Sequence, residues 1–116
     1  MTIIITGAMG NVGRRLMAAF PDAIGLDRHP DADLVEDLST IDYGSTMVRR
    51  AFEGADGLIH LATSANIEDP DSVHWRAVVD TARLVEAAAN AAPDTATRLF
   101  AIREKQDEML GLAGGA

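Results

Sequence analysis

Apolar residues in this chain come in short blocks set apart by polar turns, and the spacing inside the blocks switches between two periods. Ile3-Ile4-Ile5 is an uninterrupted β-branched run, as expected of a strand buried on both faces, and predicts a strand over 2–6. From Asn11 to Phe20 the period becomes helical. Val12, Leu16, Ala19 and Phe20 share one face, Arg14 and Arg15 lie near the other, and a sheet-covering helix over 11–20 is predicted. Ala23-Ile24-Gly25-Leu26 predicts a second strand over 23–27, and further runs predict strands over 33–36 and 57–62. A helix over 42–53 would offer Met47, Val48, Ala51 and Phe52 to the sheet and end at Gly54. A longer one over 71–91 carries Trp75, Val78, Ala82, Val85 and Ala89 at three- and four-residue steps, a stripe that reads as core. Asp69 is placed to cap that helix, and Pro70 to fill its first position, where no N–H is needed.

Strands that alternate with helices over short connections build a parallel sheet with helices on its faces. The expected fold class is therefore α/β, a three-layer sandwich whose parallel sheet has four or five strands in a single small domain. The number turns on Arg98-Leu99-Phe100-Ala101-Ile102, which fits either a fifth strand or part of a helix running from Asp94 to Leu110. Without that strand, the fourth would be left as an edge to be covered by the helix or another subunit. Residues 103–108 read as a solvated helix, and the domain is expected over 1–110 with a flexible tail over 111–116.

Composition narrows the functional classes. With 116 residues, 47% of them hydrophobic, the chain has material for one core. Its formal charge of −8 and the lack of basic runs argue against a nucleic-acid surface. There is no cysteine for disulfide or thiolate chemistry, and His29, His60 and His74 have no metal-ligand spacing, so no metal site is expected. No stretch approaches the roughly 20 apolar residues of a membrane helix, and a soluble cytoplasmic protein without a membrane partner is the expectation.

The candidate chemistry lies where the first strand meets its helix. Thr6-Gly7-Ala8-Met9-Gly10-Asn11-Val12-Gly13 aims unpaired backbone N–H groups and the positive end of a helix dipole at one point, where a pyrophosphate fits. In such a turn Gly7 lets the chain leave the strand, Gly10 admits the pyrophosphate and Gly13 lets the helix lie close to the strand. Asp27 ends the second strand about 20 residues beyond Gly7, where a carboxylate accepts both ribose hydroxyls of adenosine and repels a 2′-phosphate. The cofactor expected is NAD, with NADP disfavoured. Arg28 is the opposing signal, since a guanidinium beside the ribose can pair with a 2′-phosphate or stack on adenine.

That turn, followed in order by Asp27, Glu36-Asp37-Leu38 and Asp56-Gly57-Leu58-Ile59-His60-Leu61-Ala62, resembles the first half of the extended short-chain dehydrogenase/reductases, the NAD-dependent epimerase/dehydratase family. The resemblance runs from Met1 to about Ala92 and implies a Rossmann-type fold. It implies that Asp37 and Leu38 lie along the adenine, Asp37 accepting from its amino group, and that Leu61, Ala62 and Thr63 pass under the pyrophosphate and nicotinamide ribose. Candidate cofactor contacts are therefore Gly7, Met9, Gly10, Asn11, Val12, Gly13, Asp27, Arg28, Asp37, Leu38, Leu61, Ala62 and Thr63. His60 reads as a hydrogen-bonded core histidine.

Family members continue to a Ser or Thr and a Tyr-x-x-x-Lys helix that carry the acid/base chemistry. Here the one tyrosine is Tyr43, a packing residue by position, and Met47 stands four residues on, so no catalytic residue is assigned. Ala77 and Asp80 stand where the family usually has Asn and Gly. The expectation is an NAD-binding domain resembling sugar epimerases, dehydratases and uronate dehydrogenases, without self-sufficient catalysis. The alternative is a subunit or fragment of an active sugar oxidoreductase or epimerase completed by another chain, which leaves homo-oligomerisation open.

Overall fold

A computed structural model describes residues 2–62, 68–91 and 98–101. In chain order the elements are β1 (Ile3–Thr6), α1 (Asn11–Ala19), β2 (Ile24–Asp27), β3 (Leu34–Val35), α2 (Thr46–Glu53), β4 (Gly57–His60), α3 (Asp71–Ala91) and β5 (Arg98–Ala101). All strand pairs are parallel, and the sheet order is β3-β2-β1-β4-β5. The chain thus winds outward from β1 to β3, then crosses back to place β4 on the other side of β1. The carboxyl ends of the strands separate at that reversal, and a crevice opens there.

Residues 98–101 form the fifth strand, with Gly57 to His60 of β4 facing Arg98 to Ala101 in register. The helix from Asp94 is thereby excluded over these four residues, and β4 is an interior strand. The expected helix over 103–108 and tail over 111–116 lie outside the described residues.

Period-two alternation along β1 divides the core. Ile4 points to one face, where it meets Leu26, Leu58, Val48 and Phe52 of α2, and Leu84 and Ala88 of α3. Ile5 points to the other, with Ala8, Ala23, and Leu16 and Met17 of α1. The result is three layers, with α1 on one face and α2 and α3 on the other.

Helix faces depart from the sequence reading. α1 buries Gly13 and half-buries Val12, Leu16 and Met17, while Ala19 and Phe20 are exposed at its end. α2 begins at Thr46, shorter than the expected 42–53, and Met47 is 69% exposed because Val48 and Phe52 take the inward direction. The stripe assigned to the core of α3 is wrong: Trp75 is 69% and Val78 50% exposed, and the buried residues are Asp80, Leu84 and Ala88. The inward stripe is rotated by about one position. Small Ala88 allows close packing, and polar Asp80 and Thr81 find tertiary hydrogen bonds. α3 covers Asp71–Ala91, the expected range, but Val73 and His74 donate to the Pro70 carbonyl, so Pro70 and not Asp69 stands at its start, and Asp69 lies on the rim of the crevice.

Candidate functional site

β1 ends at Thr6, and the next residue, Gly7, has a φ of +67°, the only left-handed backbone among the described residues and open to glycine at little cost. A Cβ there would also lie 2.9 Å from the Ala62 nitrogen. Gly10 N–H donates to the Gly7 carbonyl (3.0 Å), closing the turn, and the Gly10 carbonyl accepts from Arg14 to start α1. At Gly13 a Cβ would stand 2.1 Å from the Gly7 oxygen, so the helix is pressed on the turn backbone to backbone.

Helical geometry leaves the N–H groups of Asn11, Val12 and Gly13 without intrahelical acceptors. No side chain caps this end, and the first turn holds no acidic residue. The positive end of α1 is therefore left uncapped by the described side chains and suits an anion.

Asp27 is fixed beside this turn. Its Oδ2 accepts from Met9 N–H at 2.9 Å and its Oδ1 from His29 N–H at 3.0 Å. Each carboxylate oxygen keeps further lone-pair capacity, and Asp27 lines the crevice. The two backbone donors hold the carboxylate in one orientation before any ligand arrives.

The opposite wall is set by a polar chain with only one consistent direction. Thr6 Oγ1 accepts from Leu61 N–H (3.1 Å) and Ala62 N–H (3.2 Å), so its single proton goes to His60 Nδ1 at 2.6 Å. His60 is then protonated at Nε2, which donates to Thr81 Oγ1 at 2.9 Å, and Thr81 donates to the Ala77 carbonyl at 2.8 Å. Buried Thr6 and His60 thus tie β1, β4 and α3 together and set the course of Leu61 and Ala62. His60 is a hydrogen-bonded core residue, in keeping with its sequence reading.

These parts enclose an open crevice of about 500 Å³. The structure brings Gly7, Gly10, Asn11, Asp27, Arg28, Asp37, Leu38, Leu61 and Ala62 together along it. Met9 borders a separate, shallower concavity with Arg14, Met17 and Asp33. Gly13 is buried under the turn, Val12 half-buried on α1, and Thr63 lies outside the described residues. The lining also includes Glu36, Ser39, Asp69, Val73, Arg76, Ala77 and Asp80, which the sequence reading did not assign to it. Glu36 belongs to the Glu36-Asp37-Leu38 motif already singled out, and Ser39 follows it directly. Of the α3 residues, Ala77 and Asp80 stood out only as departures from the family pattern, and Val73 and Arg76 carried no signal, because the approach of α3 to the crevice depends on how that helix is rotated.

Arg28 and Arg76 are exposed and form no ion pair among the described residues. Tyr43 is not among the residues lining the crevice; its ring is edge-on to Phe52 of α2 (5.5 Å between centroids) and under the Arg83 guanidinium of α3 (6.0 Å). Burial pushes its phenol up to about 12, the Arg83 charge opposing the rise and the Asp80 charge adding to it. Its hydroxyl has no partner among the described residues, nor do those residues hold a cluster able to bind a metal ion. No described helix is long and apolar enough to cross a membrane.

Strand order, glycine turn and crevice define a Rossmann-type domain of the nucleotide-binding class. The chain belongs to the NAD dependent epimerase/dehydratase family, whose family model matches residues 3–102. Among solved structures it is similar to a short-chain dehydrogenase/reductase superfamily protein from Agrobacterium tumefaciens with bound NAD, at 26% identity and TM-score 0.64, covering 86% of this chain and 32% of that one. The fold is shared with the dTDP-glucose 4,6-dehydratase DesIV from Streptomyces venezuelae, crystallised with NAD, at 22% identity and TM-score 0.58, covering 85% and 38%. It is shared also with UDP-N-acetylglucosamine 4-epimerase from Bacillus cereus, at 16% identity and TM-score 0.58, covering 85% and 37%. The chain spans about a third of the length of these structures. No curated protein sequence matches it significantly.

Proposed function

We propose that this chain binds NAD in the crevice, in preference to NADP, and does not by itself carry out catalysis. The observation that carries the reading is Asp27, held by two backbone N–H groups beside an uncapped helix N-terminus. The diphosphate takes the N–H groups of the Gly7 to Gly13 turn, and the free lone pairs of Asp27 accept the 2′- and 3′-hydroxyls of the adenosine ribose. Asp37 and Leu38 line the adenine, Asp37 accepting from the amino group. Leu61, Ala62 and Thr63 run beneath the diphosphate and nicotinamide ribose. The cofactor-binding unit is taken as 1–110.

NAD bound here supplies a hydride acceptor. Redox chemistry at an alcohol also needs a proton acceptor at the reacting carbon. Among the described crevice residues there is neither a tyrosine nor a lysine, and Tyr43 packs instead against Phe52 and Arg83. A second reading rests on the third of its solved relatives that the chain spans: a sugar-directed oxidoreductase or epimerase whose substrate side is carried elsewhere.

Calorimetric titration with NAD and NADP tests the proposal. A 2′-phosphate against the Asp27 carboxylate should weaken binding by at least about tenfold, the equivalent of roughly 1.4 kcal/mol of like-charge repulsion. Asp27→Ala should remove the preference. An unchanged NAD:NADP ratio in that variant refutes the role of Asp27, and turnover of nucleotide sugars or uronic acids by the isolated chain refutes the absence of catalysis.

A further inference from the structure

Ser39 follows the adenine-side residues Asp37 and Leu38 and is engaged through all three of its polar groups. Its N–H donates to Asp37 Oδ1 at 2.9 Å, its hydroxyl to Asp80 Oδ2 at 2.9 Å, and its carbonyl accepts from Arg83 Nη1 at a longer 3.5 Å. Two of these partners come from α3, 41 and 44 residues away. The third is the carboxylate assigned to the adenine amino group.

Asp80 is only 8% exposed, and its Oδ1 is buried with no partner among the described residues. An unsatisfied carboxylate oxygen is costly in a folded chain and calls for a reason beyond stability.

We propose that Asp80 is a positioning residue for adenine recognition, acting through Ser39 to fix the Asp37 carboxylate in the orientation that accepts the amino group. The proposal rests on the cofactor reading given above. A carboxylate discriminates between an amino donor and a carbonyl acceptor only when its orientation is fixed; a free one rotates or recruits water and loses most of the difference. Asp80 supplies that constraint across the crevice wall, and the exposed Arg83 contact assists it.

The probe is nicotinamide hypoxanthine dinucleotide, which differs from NAD by a carbonyl in place of the adenine amino group. The wild-type chain should bind NAD at least about tenfold more tightly than this analogue, the worth of one hydrogen bond to a charged acceptor. Asp80→Ala should bring the two within about threefold while leaving the NAD:NADP preference set by Asp27, and Asp80→Asn, which keeps an acceptor for the Ser39 hydroxyl, should restore the discrimination. Ser39→Ala, at a half-buried loop position, should match Asp80→Ala and serves should the latter fail to fold. A purely structural role weakens both dinucleotides equally, and an unmoved ratio in the folded variants overturns the proposal. A wild type that binds NAD without preferring it over the analogue overturns it too, through Asp37, whereas binding of neither dinucleotide overturns the cofactor reading as well.

Discussion

Gly13→Ala adds one methyl group at the point where α1 lies against the turn. The new Cβ would stand 2.1 Å from the Gly7 oxygen and 2.7 Å from the carbonyl carbon and oxygen of Ala8, well short of the 3.4 Å at which ordinary contact begins. All three obstacles are backbone atoms in a hydrogen-bonded turn, so no rotamer change relieves them. α1 must retreat by more than 1 Å, lifting Leu16 and Met17 from Ile5 and Ala8. Overpacking of this kind costs about 1–3 kcal/mol, and rigid backbone on the receiving side favours the upper end. Alanine's better helix propensity returns about 1 kcal/mol, so a net loss of about 2 kcal/mol is expected. In urea denaturation, with a slope near 1 kcal/mol/M for a domain of this size, the midpoint should fall by about 2 M. Gly10→Ala is the control: its Cβ meets only the Gly7 oxygen, at 3.2 Å, and it should cost less than about 1 kcal/mol while weakening NAD binding. A Gly13→Ala midpoint at or above wild type would refute the close approach of helix and turn.

Thr6→Val keeps the shape of the side chain but removes the acceptor of Ala62 N–H and the donor to His60 Nδ1, while Leu61 N–H keeps the Thr6 carbonyl at 3.2 Å; a loss of about 1–3 kcal/mol by chemical denaturation is expected, and no measurable loss would show that water replaces the hydroxyl. Because the folded chain holds the Tyr43 proton more tightly than the unfolded chain does, its contribution to stability is complete below pH 10 and is lost as the pH rises toward 12. Tyr43→Phe should flatten the stability profile across that interval, and identical wild-type and variant profiles would discount the effect. Leu84→Ala should cost about 2–5 kcal/mol and Trp75→Ala less than about 0.5 kcal/mol in thermal unfolding, the reverse of what the apolar stripe of α3 suggests.

Much of the crevice was legible because its chemistry is local. Gly7, Gly10 and Asp27 act through backbone angles, close approach and a carboxylate at a strand end, all of which depend on neighbours in the chain. Asp80 and Thr81 were not legible in the same way. Each sits in a helix at a position whose apolar neighbours look more suited to burial, and each becomes a good interior residue only when Ser39 or His60 is brought to it. Met47 and Trp75 fail for the same reason in reverse, as apolar residues whose helical direction points out to solvent. The fifth strand stood between these cases: its residues suit strand and helix alike, and pairing with β4 decides it.

By itself the sequence determined the α/β alternation, the glycine turn and the order of the motifs, because hydrophobic period and backbone permissiveness are properties of a few consecutive residues. Tertiary structure alone decided how each helix is rotated about its axis, the commitment of 98–101 to the sheet, and the attachment of Ser39 to α3. Those choices are settled by which rotation satisfies buried polar groups while closing the core, a condition imposed by residues tens of positions away.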